Sequence, residues 1–277
     1  MRFKMRLIFT LFMMLTVAVT QMPAQTNEIE NLFRDLRAKA AAGITNTDEA
    51  DPVLDRFAQA SRETVAGDLP VILNATSDPH ASVRGIAALA LWKITTRPDG
   101  QALLSAQTAT FTALLTDPDI PIRRITGLAI DNLRLDANSP LVPVLQNYLA
   151  REDAVSTIGA GVATLLIKAA PNDANSTNAV VQFMRRTDQT SASRSTLLNA
   201  IAHVARSHNR AIGKEVARYA DDPDEQTSSL AIETLQSMGK DVVLDNQQSL
   251  SRIAADTGRT PSVRAAATKA LSAVPQS

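Results

Sequence analysis

The chain has 277 residues, with 28 basic residues against 28 acidic ones, 45% hydrophobic and only 4% aromatic. Without the N-terminal cations Arg2, Lys4 and Arg6 the balance becomes 25 against 28. That slightly acidic balance excludes a general binder of nucleic acid or anionic membrane, which needs a basic footprint. No cysteine is present, so disulfides and a lipid anchor on cysteine are excluded as well.

Residues 1–24 have the form of a signal peptide. Arg2, Lys4 and Arg6 are followed by Leu7 to Val19, apolar apart from Thr10 and Thr16, and cleavage after Ala24 fits the pattern. As a helix, the apolar stretch would span about 20 Å, short of the ~30 Å hydrocarbon core. The sequence therefore predicts a bacterial periplasmic or secreted protein with no stable membrane insertion once the signal is removed. A retained N-terminal anchor is the competing reading.

Residues 25–66 read as a degenerate helix pair that caps the domain. Ile29, Leu32, Phe33 and Leu36 recur at helical spacing up to Gly43, and a second helix is predicted over Pro52 to Ala66, with Val53, Leu54, Phe57 and Val65. Residues 67–277 then repeat one unit six times, as a single continuous domain. In its clearest copy, Leu69 to Leu73 forms a first helix. Asp78-Pro79 stops it, since proline cannot continue the hydrogen-bond ladder. Ser82-Val83-Arg84 then opens a second, alanine-rich helix with Leu91 and Ile94 at +7 and +10 from the arginine. Arg123, Arg194 and Arg264 open equivalent stretches, with Gly159 and Ser228 in the same slot. Successive slots are 39, 36, 35, 34 and 36 residues apart, the signature of stacked helical pairs.

The pattern Asp78-Pro79-His80-Ala81-Ser82-Val83-Arg84 before an alanine-rich helix resembles the HEAT repeat in its short bacterial form. The resemblance covers roughly Gly67 to Pro275. It implies an all-α, right-handed α-solenoid of about seven antiparallel helix pairs, with first helices on the convex side and second helices on the concave side. It also implies that acidic turn residues and arginines (Asp78 with Arg84, Asp117 with Arg123, Asp188 with Arg194, and Arg264) form a structural ladder between units. Gly159 and Ser228 lack the arginine, so the ladder is expected to be weakest there.

Little chemistry competes with this structural reading. His203 and His208 are five apart and do not share a helix face as an i, i+4 metal pair would. No Gly-x-Ser-x-Gly elbow occurs. Gly159-Ala160-Gly161 lacks the third glycine of a dinucleotide loop and reads as close helix packing. Arg123-Arg124, Arg185-Arg186, and Asp221-Asp222 with Asp224 and Glu225, read as solvated helix ends. No catalytic residue, cofactor or metal is predicted. Trp92, beside Lys93, occupies the +8 slot, where the other copies carry Asp131, Ile167, Ala202, Gln236 and Ser272. A slot that varies in this way suits a partner-contact aromatic as well as it suits inter-repeat packing.

The expected function is an exported, non-enzymatic scaffold that binds another protein or peptide on the concave surface, without nucleic acid. HEAT-like units also resemble those of phycobilin lyase subunits and DNA-glycosylase-type solenoids. The signal peptide and the acidic mature chain argue against action on either ligand.

Overall fold

The computed structural model describes residues 23–44, 55–58, 60–151, 156–204 and 209–273. Residues 1–22 of the expected signal peptide, the helix start expected at Val53 and Leu54, His208 and the tail from Val274 lie outside the described residues. All regular structure within them is helical. The chain divides into two compact units, residues 1–104 and 105–277.

The first unit contains α1 (Pro23–Ala41), α2 (Arg62–Ala75), α3 (Ala81–Thr95) and α4 (Pro98–Leu104). Helix α1 packs on both α2 and α3, burying Ile29, Phe33 and Leu36. The sequence predicts one helix ending at Ala66 and another starting at Leu69, yet α2 runs through both. Ser61 sets its start by accepting the Thr64 amide at 3.2 Å. Pro70 is tolerated inside α2 because it and Ala66, whose carbonyl it frees, are both exposed, so water can satisfy that carbonyl.

Helix α4 has no counterpart in the predicted repeat, and it accounts for the long 39-residue step from Arg84 to Arg123. Arg97 fixes it by a two-pronged bond to Asp99, at 3.1 and 2.8 Å, and reaches back to the Ala60 carbonyl.

The second unit contains α5 (Thr108–Leu115), α6 (Ile120–Asn132), α7 (Val142–Ala150), α8 (Ser156–Ala169), α9 (Ala174–Met184), α10 (Ser191–Val204), α11 (Arg210–Tyr219), α12 (Glu225–Met238), α13 (Lys240–Asp245), α14 (Gln247–Ala255) and α15 (Pro261–Ser272). Second helices α6, α8, α10, α12 and α15 pack on one another in sequence. First helices α5, α7, α9, α11 and α13 form the other layer. The first helix of the last repeat is split at Asn246 into α13 and α14, and α14 pairs with α15.

Sequence chemistry sets the helix starts. Asp173, Asn209 and Asp224 cap α9, α11 and α12 with their side chains, and Pro121, Pro143 and Pro261 sit in the first turns of α6, α7 and α15. The +7 slot is buried, with Leu91 in the first unit and Ile130, Leu166, Ile201 and Leu235 in the second each at most 1% exposed, whereas Leu271 of the last copy is half-buried. Burying one such side chain contributes about 1.5–3 kcal/mol. Alanines 129, 160, 163, 231 and 267 are buried between them and let adjacent second helices approach closely.

Candidate functional site

The acidic turn residues are buried anchors for the loops. Asp78, Asp117 and Asp222 are 6–7% exposed, and each accepts the backbone amide two residues on, at 3.0, 2.8 and 2.9 Å. Asp222 stands six residues before Ser228, the same interval that separates Asp78 from Arg84. It is therefore a turn anchor rather than the solvated helix end that its neighbour Asp221 suggests. The Asp222-Pro223 dipeptide, matching Asp78-Pro79, is the signal that would have identified it.

The arginine slot contains three kinds of chemistry. Arg194 donates forward to the Asp222 carboxylate of the next repeat and back to the Gln189 carbonyl at 3.3 Å. Arg84 donates to the Asp78 and Pro79 carbonyls at 2.9 and 3.1 Å. Asp78 in turn receives Arg37 from α1 at 2.6 Å, so α1 serves the first repeat as Arg194 serves the fifth. Arg123 is 8% exposed on α6, so of the Arg123-Arg124 pair only Arg124 is solvated as expected. Arg264 on α15 is half-buried, and its buried Nε has no hydrogen-bond partner among the described residues. Asp188 is exposed and bonded by Arg186 at 2.9 and 2.6 Å.

The two slots without arginine are filled in other ways. A Cβ at Gly159 would lie 2.4 Å from the Phe183 ring, so the ring occupies the space an arginine would need. Ser228, fully buried, donates its hydroxyl to the Ala220 carbonyl at 2.6 Å. Neither position is a gap, although both lack the cation that the repeat pattern leads one to expect. Around Phe183, Arg186 lies over the ring with its guanidinium 5.7 Å from the centroid. Gln189 donates to the Phe183 carbonyl, and the Tyr219 hydroxyl donates to the Met184 carbonyl at 2.6 Å. Arg185 is exposed at the helix end, as expected, and from there bonds the buried Glu215 of the next repeat at 2.9 and 2.6 Å.

Burial and these partners set the acid–base properties. Burial pushes the Asp78 carboxyl upward, but the His80 amide, the Arg37 guanidinium and the His80 ring outweigh it and hold the group below its ordinary value. At Asp68, burial dominates its bond to Arg56, and the carboxyl is raised. Burial pushes the Tyr219 phenol up to about 12.

Trp92 and Lys93 sit near the C-terminal end of α3 and are both half-buried. A concavity lies elsewhere, on the second-helix layer of residues 105–277. An open groove of about 380 Å³ runs over α6, α8 and α10. Ile158, Gly161, Val162 and Leu165 of α8 form its floor, Gly127 and Leu128 of α6 one wall, and Thr196 and Ala200 of α10 the other. Arg124 and Asp131 stand at its rim, and Leu128 is 51% exposed. Gly161 differs from Gly159, two residues earlier: a Cβ at 161 would meet nothing within 4 Å. One glycine closes a packing contact, whereas the other deepens the groove. Small residues on successive second helices were the sequence signal for this site.

Among the described residues no group of three or more His, Cys, Asp or Glu side chains could hold a metal ion, and no helix is long and apolar enough to cross a membrane.

No protein-family model and no curated protein matches the chain. Among solved structures, it is similar to an engineered protein of the Northeast Structural Genomics Consortium at 18% identity and a TM-score of 0.51, covering 88% of this chain and 67% of that one. A second engineered protein from the same consortium matches at 15% identity and 0.50, covering 74% and 97%. A set of computationally designed armadillo repeat proteins for modular peptide recognition matches at 15% identity and 0.49, covering 75% and 100%. The all-helical composition, the two packed layers of helices and the repeat interval agree on one architecture: the chain has the fold of a HEAT-like α-solenoid.

Proposed function

We propose that the protein is an exported, non-enzymatic scaffold that binds another protein or peptide on its second-helix layer. The observation that carries this reading is the open apolar groove of about 380 Å³ over α6, α8 and α10. Exposed apolar concavities on a folded surface mark interaction sites, because water is displaced from them at a gain. The polar side chains that could otherwise suggest chemistry are engaged in holding repeats together: Arg194 with Asp222, Arg185 with Glu215, and Arg252 with Asp221. Export rests on the N-terminal pattern of Arg2, Lys4, Arg6 and the apolar run to Val19.

The test is fractionation of cells producing the tagged full chain, followed by crosslinking and quantitative recovery of partners with the unaltered protein and with Gly161→Leu. Expected is an envelope or extracellular fraction carrying one partner that the substitution depletes. Recovery of no groove-dependent partner, together with turnover of a substrate by the pure protein, would overturn the scaffold reading.

A further inference from the structure

We infer that the groove receives one amphipathic helix of a partner protein, which lies along α8, fills the groove with aliphatic side chains and presents an acidic residue to Arg124. This rests on the scaffold reading above and names the occupant of the site.

The first argument is shape. The floor residues Ile158, Gly161 and Leu165 recur every three or four positions along α8, as Arg124, Leu128 and Asp131 do along α6. From Ile158 to Leu165 the helix rises about 10 Å, two turns. A helix laid beside it presents side chains at i, i+3, i+4 and i+7 over that same length. An extended strand, rising about 3.3 Å per residue, would place only one or two side chains on so short a floor. Helix α8 packs against both α6 and α10, and its third side is open at Gly161, where the absent side chain permits the 8–10 Å approach of helix packing.

The second argument is solvation. A groove of about 380 Å³ has room for several waters. Those waters face a lining dominated by apolar groups and find few hydrogen-bond partners, so aliphatic side chains displace them favourably.

The third argument is charge. At one end Asp131 is already met by Lys168 at 3.2 Å. At the other, Arg124 is exposed and makes no ion pair or side-chain hydrogen bond among the described residues. The groove therefore keeps one unmatched positive charge at its rim, and an acid on the incoming helix satisfies it.

The test uses the full chain and a labelled synthetic peptide of about 18 residues, long enough to form a helix. The peptide carries leucines at i, i+3, i+4 and i+7 with a glutamate at one end of that face. Its Glu→Lys form, an all-Leu→Ser form and dodecanoate, a small apolar anion, are the comparison probes. Fluorescence anisotropy should show the glutamate peptide binding and the serine peptide not. Arg124→Glu should weaken the glutamate peptide about two- to fivefold, the range of an exposed ion pair, and strengthen the lysine peptide by a similar factor. Gly161→Leu should cost roughly tenfold or more by filling the floor. Its added side chain starts in open space, and an unchanged thermal transition shows that the fold is intact. Should that variant unfold, Leu128→Ser, on the wall, replaces it.

Equal binding of the leucine and serine peptides, no charge swap at Arg124, or saturation by dodecanoate without helix binding overturns the inference. A Gly161-dependent partner that the glutamate peptide fails to displace sinks this occupant and leaves the scaffold reading standing. The absence of any such partner, together with turnover of a substrate by the pure protein, sinks the scaffold reading itself.

Discussion

The slots at Arg194 and Gly159 occupy the same register in neighbouring repeats and are held in opposite ways. At 194 a guanidinium bridges two repeats through a buried carboxylate. At 159 the side chain is absent, and an aromatic ring from the following first helix fills the space. What is constant from repeat to repeat is that the volume at the head of the second helix is filled; the chemistry that fills it varies. A repeat can thus lose its most recognisable residue and keep its geometry.

Phe183→Ala should give the largest effect, about 4 kcal/mol lost in urea unfolding, since the 1%-exposed ring leaves a cavity and removes the seat of Arg186. Gly159→Ala alone should cost about 2 kcal/mol through overpacking against that ring. In the Phe183→Ala background it should become neutral or favourable, because the clash is gone and alanine suits a helix interior better. Additive losses in the double variant would show that the ring does not define the 159 slot.

Arg194→Ala should cost about 2 kcal/mol, discounted from a fully buried pair because Arg194 keeps 26% of its side chain exposed. The cost arises mainly from leaving the Asp222 carboxylate, 5% exposed, without its cation. If Arg194→Ala unfolds at the same urea concentration as the unaltered chain, the arginine is not a ladder rung.

The two buried acids of the first unit should respond to pH with opposite signs. Asp78, lowered from its ordinary value of 3.8, contributes stability above that value and loses it as pH falls through the folded-state value. Asp68, raised from 3.8, does the reverse: its contribution is present below that value and is lost as pH rises through the folded-state value. At neutral pH Asp78→Asn should therefore cost about 1 kcal/mol, a difference that shrinks toward zero in acid. The difference for Asp68→Asn should shift in the opposite direction over the same range. Parallel pH curves for the two variants would contradict this account.

The smallest effect belongs to the groove wall. Leu128→Ser should change stability by less than about 0.5 kcal/mol, as expected for a surface position, while weakening partner recovery. A large loss of stability would place Leu128 in the core rather than at a docking surface.

Much of this architecture was legible in the sequence because repetition itself is a signal. The +7 slot marked buried positions in each unit, Leu91 in the first and Ile130 to Leu235 in the second, and the Asp-Pro turns predicted where first helices stop. The cap was legible in its apolar residues but not in its boundaries. Pro70 suits the first turn of a helix starting at Leu69, and the exposure of Ala66 explains why α2 instead runs through it. Helix α4 was hidden inside a repeat that was merely a few residues too long. The Arg194 rung was half legible. Asp188 is close in sequence and of the right charge, but the turn anchor that meets the guanidinium is Asp222, one repeat further on. The groove was the least legible feature, because it is made by what is missing at Gly127, Gly161 and Ala200 on three separate helices. Trp92, the most conspicuous residue in the sequence, lies in the other compact unit.

The contrast between Gly159 and Gly161 also has a consequence for how such a protein can change over generations. On one helix, two residues apart, the first glycine is pinned by a neighbour and the second is free. In the scaffold proposed above, replacing Gly161 by another helix-forming residue alters the depth and shape of the docking floor while the contact at Gly159 is left alone. Partner preference can therefore drift independently of foldability, and a lineage can explore new partners at that position without passing through unstable intermediates.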